Sequence, residues 1–408
     1  MILGKLRSQS SVIRAMGYAD FIRGFGRYPT WILLVIYLSS TRDMSFIEIG
    51  LIFFVQSIIS FPINIAGGRF IDRVGRRSIS LFLPIPLVMI YFLLFISVLY
   101  NGNIWFLVVE FVSTGILSSI QWVVINAIIT DNSTPSGRLD SFTVMRILGN
   151  AGIGIGLVVS GIFSIFQPAL FFIVPAVGSI VEFLIFKKYV PESKPSFSVN
   201  DHENSRKIKV YRDGLLIIVT VIMAISALFS NQWETPTLPL YFTRFLNIHE
   251  DFITILYAIN TVIVIMFQYR LNVIAEKIGY VRSFSLGLIL YAMSFIVFGL
   301  TGNIIILALN VVLLTLGESL ANPFFSVTIS RIAPADKRGE YFGFSSAISG
   351  IIGTFSPFVG TLFLTIFFNI PIDMWLSFSL ITLFMAFVAL LTRSKILGRE
   401  EKIKAGTP

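Results

Sequence analysis

Twelve stretches of this chain run for about 20 or more mostly apolar residues, and a stretch of that kind has few folds open to it. A helix rising about 1.5 Å per residue needs about 20 mostly apolar residues to cross a hydrocarbon layer roughly 30 Å thick. The stretches fall at approximately 18–40, 46–66, 79–100, 104–129, 144–166, 169–187, 213–242, 251–271, 283–301, 304–328, 343–367 and 373–392. In lipid every backbone N–H and C=O must find its partner inside the segment or in a closed barrel. Continuous runs such as Leu81 to Leu99 lack the alternation of a barrel strand, so the expected fold class is an all-α membrane protein with twelve transmembrane helices. With 55% of residues hydrophobic and only 13% charged, water is the wrong solvent for most of this surface.

Cations in the short loops set the orientation, because Lys and Arg are retained on the cytoplasmic side. A cytoplasmic N-terminus puts Lys5, Arg7, Arg14, Arg69, Arg73, Arg76, Arg77, Arg138, Lys187, Lys188, Lys277, Arg282, Arg331, Lys337, Arg338 and the basic tail from Arg393 to Lys404 inside. The other side then keeps Arg42 and Arg244, so both termini are expected in the cytoplasm of a multi-pass cell-membrane protein. The first apolar run is too long for a signal-peptide core and is expected to be retained as a span.

This asymmetry accounts for the net charge of +9 through topology and contact with anionic lipids, without a nucleic-acid partner. Cysteine is absent, which excludes disulfides, thiol catalysis and Cys-based metal sites. The two histidines, His202 and His249, fall in loops expected on opposite sides of the membrane, so a metal site is not expected. No phosphate-binding Gly-x-x-x-x-Gly-Lys-Ser/Thr loop and no nucleophile elbow occurs, which argues against an enzyme, against ATP drive and against a cofactor.

An internal repeat appears at an offset of about 200 residues. Tyr37-Leu38 matches Tyr241-Phe242, Asp72-Arg73-Val74-Gly75 matches Glu276-Lys277-Ile278-Gly279, and Pro135 to Arg138 matches Pro334 to Arg338. The expected organisation is a six-helix bundle over 1–187, a polar cytoplasmic linker over 188–212 and a second six-helix bundle with a short tail over 213–408. Paired bundles with charged inner loops follow the plan of a secondary transporter.

The segment Gly68-Arg69-Phe70-Ile71-Asp72-Arg73-Val74-Gly75-Arg76-Arg77 resembles the signature loop of the major facilitator superfamily. The run from Gly152 to Gly161, with Gly156 inside it, is similar to that family's fifth-helix antiporter motif. Leu157 stands at the motif's proline and Ser160 at the first glycine of its closing pair, so a weaker bend is expected there. Gly317-Glu318-Ser319 with Pro323, then Ala333-Pro334, Arg338-Gly339-Glu340-Tyr341 and Gly343, resembles the multidrug-exporter-like branch, as does Pro191-Glu192-Ser193. The resemblance implies a gating motif of Gly68, Asp72, Arg73, Gly75, Arg76 and Arg77, in which Asp72 meets a helix N-terminus and latches one state. It also implies two halves rocking about a central site.

Charges inside the spans are the best guide to mechanism, since a charge at a helix centre costs about 2.5–3.5 kcal/mol even on lenient scales. Asp20, Arg23, Arg27 and Trp31 fall on one face of the first helix. The fourth carries Glu110, Thr114 and Gln121 on one stripe, with Trp122 beside them, and the seventh carries Asn231, Trp233 and Glu234 before Pro236 and Pro239. The tenth carries Glu318 near mid-membrane and Asn322 one turn on. A carboxyl that alternates between an apolar setting and water can carry a proton. Glu318, then Glu234, then Asp20 are the proton-coupling candidates. Arg27, Arg23, Trp31, Glu110, Gln121, Trp122, Asn231, Trp233 and Asn322 are the substrate-cavity candidates. Glu110 and Glu182, nearer helix ends, read more readily as structural.

The expected function is proton-coupled export of a small, partly hydrophobic compound by a monomer. Uptake of a polar or anionic metabolite, with Arg27 as the binding charge, is the second reading. A non-transporting sensor that kept the fold is the third, and the presence of Asp72, Arg73, Glu318 and Glu234 argues against it.

Overall fold

Proline and glycine decide where the long apolar runs break. In the computed structural model of the chain, the described residues are 9–133, 138–191, 210–334 and 337–404, with the side chains of 64–73 and a few scattered positions also outside the description. Among them are sixteen α-helices and no strand. The first seven are α1 (Ser11–Ser40), α2 (Phe46–Val74), α3 (Arg76–Phe82), α4 (Pro84–Leu99), α5 (Ile104–Asp131), α6 (Arg138–Phe166) and α7 (Ile173–Tyr189). The rest are α8 (Gly214–Ser230), α9 (Thr237–Arg244), α10 (Glu250–Ile278), α11 (Tyr280–Leu300), α12 (Ile304–Ala321), α13 (Pro323–Ile332), α14 (Arg338–Gly353), α15 (Ser356–Ile366) and α16 (Pro371–Lys404).

Pro84 and Pro323 each occupy the first turn of a new helix, where the missing N–H does no harm. Asn103 and Asn303, in the repeated triplet Gly-Asn-Ile, cap α5 and α12 by accepting from Trp105 N–H and from the N–H groups of Ile305 and Ile306.

Among the described residues, eleven helical stretches are long and apolar enough to cross a membrane. α1 is not one of them, because Asp20, Arg23 and Arg27 interrupt its apolar run. The signature segment is also less of a loop than its charge suggests: α2 stays helical to Val74 and breaks only at Gly75. Gly75 has φ 97° and Gly279, its counterpart in the repeat, φ 89°, and each caps the next helix. A Cβ at either would meet nothing, so Gly75→Ala and Gly279→Ala should cost about 1–3 kcal/mol each from backbone strain alone. Thermal unfolding in detergent measures this loss.

The chain divides into two compact units, one drawn from 1–196 and 242–265, the other from 197–241 and 266–408. In the first, α1 packs chiefly on α6 and then on α7, α2 packs on α5, and α4 packs on α7. The α1–α6 contact is close because it is made by small residues. A Cβ on Gly152 or Gly156 would fall on the carbonyl oxygens of Phe21 and Phe25, and one on Gly24 would lie 3.1 Å from Ile153 N. Below this contact Met16, Ala19, Ile125, Ile128, Met145 and Phe186 form a closed apolar core. The sequence repeat involving Pro135 and residues 192–209 of the linker lie outside the described residues.

In the second unit α11 packs on α16 and α12, and α8 packs on α14 and α16. Gly287 and Gly317 touch backbone to backbone: a Cβ on Gly317 would lie 2.8 Å from the Gly287 carbonyl oxygen and 3.2 Å from Tyr291 N. Trp375 anchors the core, with the rings of Tyr241, Phe295 and Phe298 at 5.0, 5.6 and 5.3 Å.

Candidate functional site

The charged face of α1 is buried inside the first unit, where every charge needs a partner. Asp20 forms an ion pair with Arg23, and its carboxylate lies against Gly149 of α6, which has no side chain to displace it. The Arg23 guanidinium stacks 5.0 Å from the Trp122 ring on α5.

One turn along, Arg27 meets Glu182 of α7 at 2.5 Å, with side-chain exposures of only 9% and 1%. Arg27 also donates to the Gln121 carbonyl oxygen and, at 3.3 Å, to Ser179 Oγ. Gln121 Nε2 completes the set by donating to the same Glu182 oxygen at 3.2 Å. The Tyr91 ring covers the guanidinium at 5.9 Å. Residues from α1, α4, α5 and α7 thus make one neutral polar knot. Arg27 and Gln121 lie together in the knot while Trp122 meets Arg23 instead, and Glu182, set aside in the sequence as a helix-end acid, holds the knot together.

Glu110 stands apart from it, accepting from the Ser97 hydroxyl at 3.0 Å. Trp31 lies in an aromatic group, edge-on to Tyr28, Phe53 and Tyr257 at 5.7, 6.2 and 6.2 Å. Tyr257 belongs to 242–265, the segment of the later sequence that packs within the first unit. The same segment places Phe245 on Phe46 at 5.7 Å and Arg244 on Ser39, with its Nε 2.7 Å from Ser39 Oγ. Thr254 and Thr261 sit where side chains on Gly161 and Gly154 would otherwise be.

Of the signature residues, Arg76 pairs with Asp131 at 2.6 Å and Arg77 donates to the Lys187 carbonyl at 3.4 Å. These contacts tie the start of α3 to the ends of α5 and α7. The side chains of Gly68, Asp72 and Arg73 lie outside the described residues.

In the second unit the apolar run of α8 ends in a tight turn, Asn231–Glu234, before Pro236. Trp233 is buried there, while Asn231 and Glu234 are exposed. Gln232, absent from the sequence candidates, organises the turn: its carbonyl oxygen accepts from Thr237 at 2.7 Å and Thr235 at 3.0 Å, and its amide donates to Ser356 Oγ at 3.2 Å. Glu318 is half-buried on α12 and Asn322 exposed at its end. Glu318 and Glu234 both lie within electrostatic reach of Tyr291 on α11, a buried residue absent from the sequence candidates. No group of residues suited to a metal ion occurs among the described residues.

Helices of membrane-crossing length around buried, compensated charges are the frame of a multi-pass membrane protein. A family model for the Major Facilitator Superfamily matches residues 17–233 and 220–407. The chain belongs to that superfamily and is a secondary transporter. It is 25% identical over 354 residues to the uncharacterized MFS-type transporter YqjV of Bacillus subtilis (strain 168), covering 84% of each chain. To YhjO of the same organism, also an uncharacterized MFS-type transporter, it is 24% identical over 334 residues, covering 82% of each. Among solved structures, the fold matches the nucleoside transporter NupG with a TM-score of 0.78 at 12% identity, covering 93% of this chain and 99% of that one. A POT family transporter in complex with 5-aminolevulinic acid matches with a TM-score of 0.75 at 13% identity, covering 94% and 96%. These relatives are transporters by name, not enzymes.

Proposed function

We propose that this chain is a proton-coupled exporter of small, partly hydrophobic compounds. It works by alternating access in the cell membrane, as a monomer with both termini in the cytoplasm. Its bundles are 1–187 and 213–408, joined by 188–212, and α1 is the twelfth span. The charges of α1 do not forbid this, because Asp20 is paired with Arg23 and Arg27 with Glu182.

The observation that carries the reading is that Glu318 and Glu234 both lie within electrostatic reach of buried Tyr291 in the second unit. A half-buried acid and an exposed one, each acting on the same buried residue, are parts a proton carrier could use. Trp31 and its surrounding rings supply apolar, polarisable contact for a partly hydrophobic cargo. Uptake of an anion is less well served, since Arg27, its binding charge, is already neutralised by Glu182.

Everted membrane vesicles test the export reading. With an acid interior they should accumulate ethidium, a planar lipophilic cation, and release it when nigericin collapses the pH gradient. Movement that is indifferent to the gradient, or no movement of any lipophilic cation in a panel, contradicts it.

A further inference from the structure

The basic tail expected after the last span is a helix: α16 continues without a break through Arg393 to Lys404. Two adjacent residues near its end reach to different helices of the second unit. Arg399 meets Asp213 Oδ2 at 3.3 Å, and the Tyr341 hydroxyl at the start of α14 donates to the same oxygen at 2.5 Å. Asp213 Oδ1 meanwhile accepts from the N–H groups of Leu215 and Leu216 at 3.0 and 3.2 Å, capping α8. Glu400 meets Arg331, at the end of α13, at 3.3 Å, and the Arg331 guanidinium lies 5.0 Å from the Tyr280 ring at the start of α11. Tyr341 and Ile396 are buried, so these contacts rest on a packed base.

The two helices held in this way, α13 and α14, are each the near half of an interrupted span. Pro323 has no N–H for the Ser319 carbonyl one turn earlier, and that carbonyl accepts instead from Gln268 Nε2 at 3.4 Å. Pro357, in the first turn of α15, gives no N–H to the Gly353 carbonyl, and the chain passes through Thr354 and Phe355 between α14 and α15. Long helices bend sharply at such places. α11 and α16 carry no interior proline and no break. We propose that the end of α16 is a strap: through Arg399 and Glu400 it holds α13 and α14 against the starts of α8 and α11, and its release lets both arms bend at Pro323 and at Thr354–Phe355. Arg331 and Arg399 are 42% and 35% exposed, so their ion pairs are weak enough singly to open without unfolding the unit. Asp213 directly follows the turn Val210–Arg212, where the expected linker ends, so a displacement of the linker acts first on the strap.

The strap goes beyond the export reading, shares no residue with the proton-coupling candidates, and can be tested without cargo or gradient. Because the chain has no cysteine, nitroxide labels attach only at introduced sites, here Arg282→Cys on α11 and Glu340→Cys on α14, both exposed. Double electron–electron resonance on the purified protein in nanodiscs then reads the distance between α11 and α14. One narrow distribution is expected with the strap intact. Combining Arg399→Gln with Glu400→Gln should broaden it and add a longer-distance population. Adding Pro323→Ala and Pro357→Ala to that background should narrow it again, because the missing backbone bonds are restored. If the combined strap variant does not fold, Arg399→Gln alone, which keeps Arg331–Glu400, should still broaden the distribution. A folded strap variant whose distances are unchanged, even with a lowered unfolding temperature, overturns the proposal. Broadening that persists with both prolines replaced overturns it as well.

Discussion

Replacing Arg27 by Met should destabilise the protein by about 3–5 kcal/mol, the range expected when one member of a buried ion pair is removed and the other is stranded. The guanidinium and carboxylate are almost completely enclosed, so neither can recruit water when its partner goes. Glu182→Met should cost at least as much, and the two losses should differ in their response to pH. A stranded carboxyl can neutralise itself by binding a proton, whereas a guanidinium keeps its charge at any pH a protein survives. The loss in Arg27→Met should therefore shrink at mildly acid pH while that in Glu182→Met stays constant. The double variant, which leaves no stranded charge, should recover most of the stability. Reversible unfolding in mixed micelles, followed by tryptophan fluorescence, gives all three values. Equal and pH-independent single losses with no recovery in the double variant would mean that the pair is not a unit.

The second large effect is steric. Gly152→Val and Gly156→Val should each cost about 3 kcal/mol, the upper end of the overpacking range, because the obstacle is backbone and cannot rotate away. Each new side chain would be driven into a carbonyl of α1, at Phe21 or Phe25, and α1 could yield only by leaving α6. That movement also disturbs Asp20, which is seated on Gly149 of the same helix face. Gly343→Ala is the control: a Cβ there meets nothing, and replacing glycine inside a helix is expected to be neutral or to stabilise by about 0.5–1 kcal/mol. Shifts in unfolding temperature of similar size for all three substitutions would contradict this account of the α1–α6 contact.

These two sites also show what a single sequence can disclose. The spans were readable because hydrophobic length is a local property, and breaks such as Pro84 and Pro323 were readable because proline acts within one turn. Arg27 stood out for the same reason, as a charge two turns inside an apolar run. Its partner did not, because Glu182 lies 155 residues away and sits close to Lys187 and Lys188 at the end of its helix. Nothing local separates an acid that faces inward from one that surfaces beside two lysines.

The glycines of α6 were visible through their resemblance to a family motif, but Phe21 and Phe25, the residues they accommodate, carry no motif at all. Gln232 and Tyr291 were missed for a related reason. Each derives its interest from neighbours supplied by distant segments, Ser356 for the first and Glu318 for the second. The signature segment resembles a family loop, yet its backbone stays helical to Val74, because arginine and aspartate are tolerated in a helix that is leaving the membrane.

The central claim is that Glu318 couples proton movement to that of a cargo. The most direct measurement places the purified protein in liposomes loaded with a pH-sensitive dye and imposes a pH gradient. A panel of lipophilic cations and small metabolites is then added to wild type and Glu318→Gln. The account predicts proton flux triggered by at least one compound in the wild type and abolished in the variant. Cargo movement without proton flux, equal in both proteins, would contradict it and leave Glu318 a structural residue.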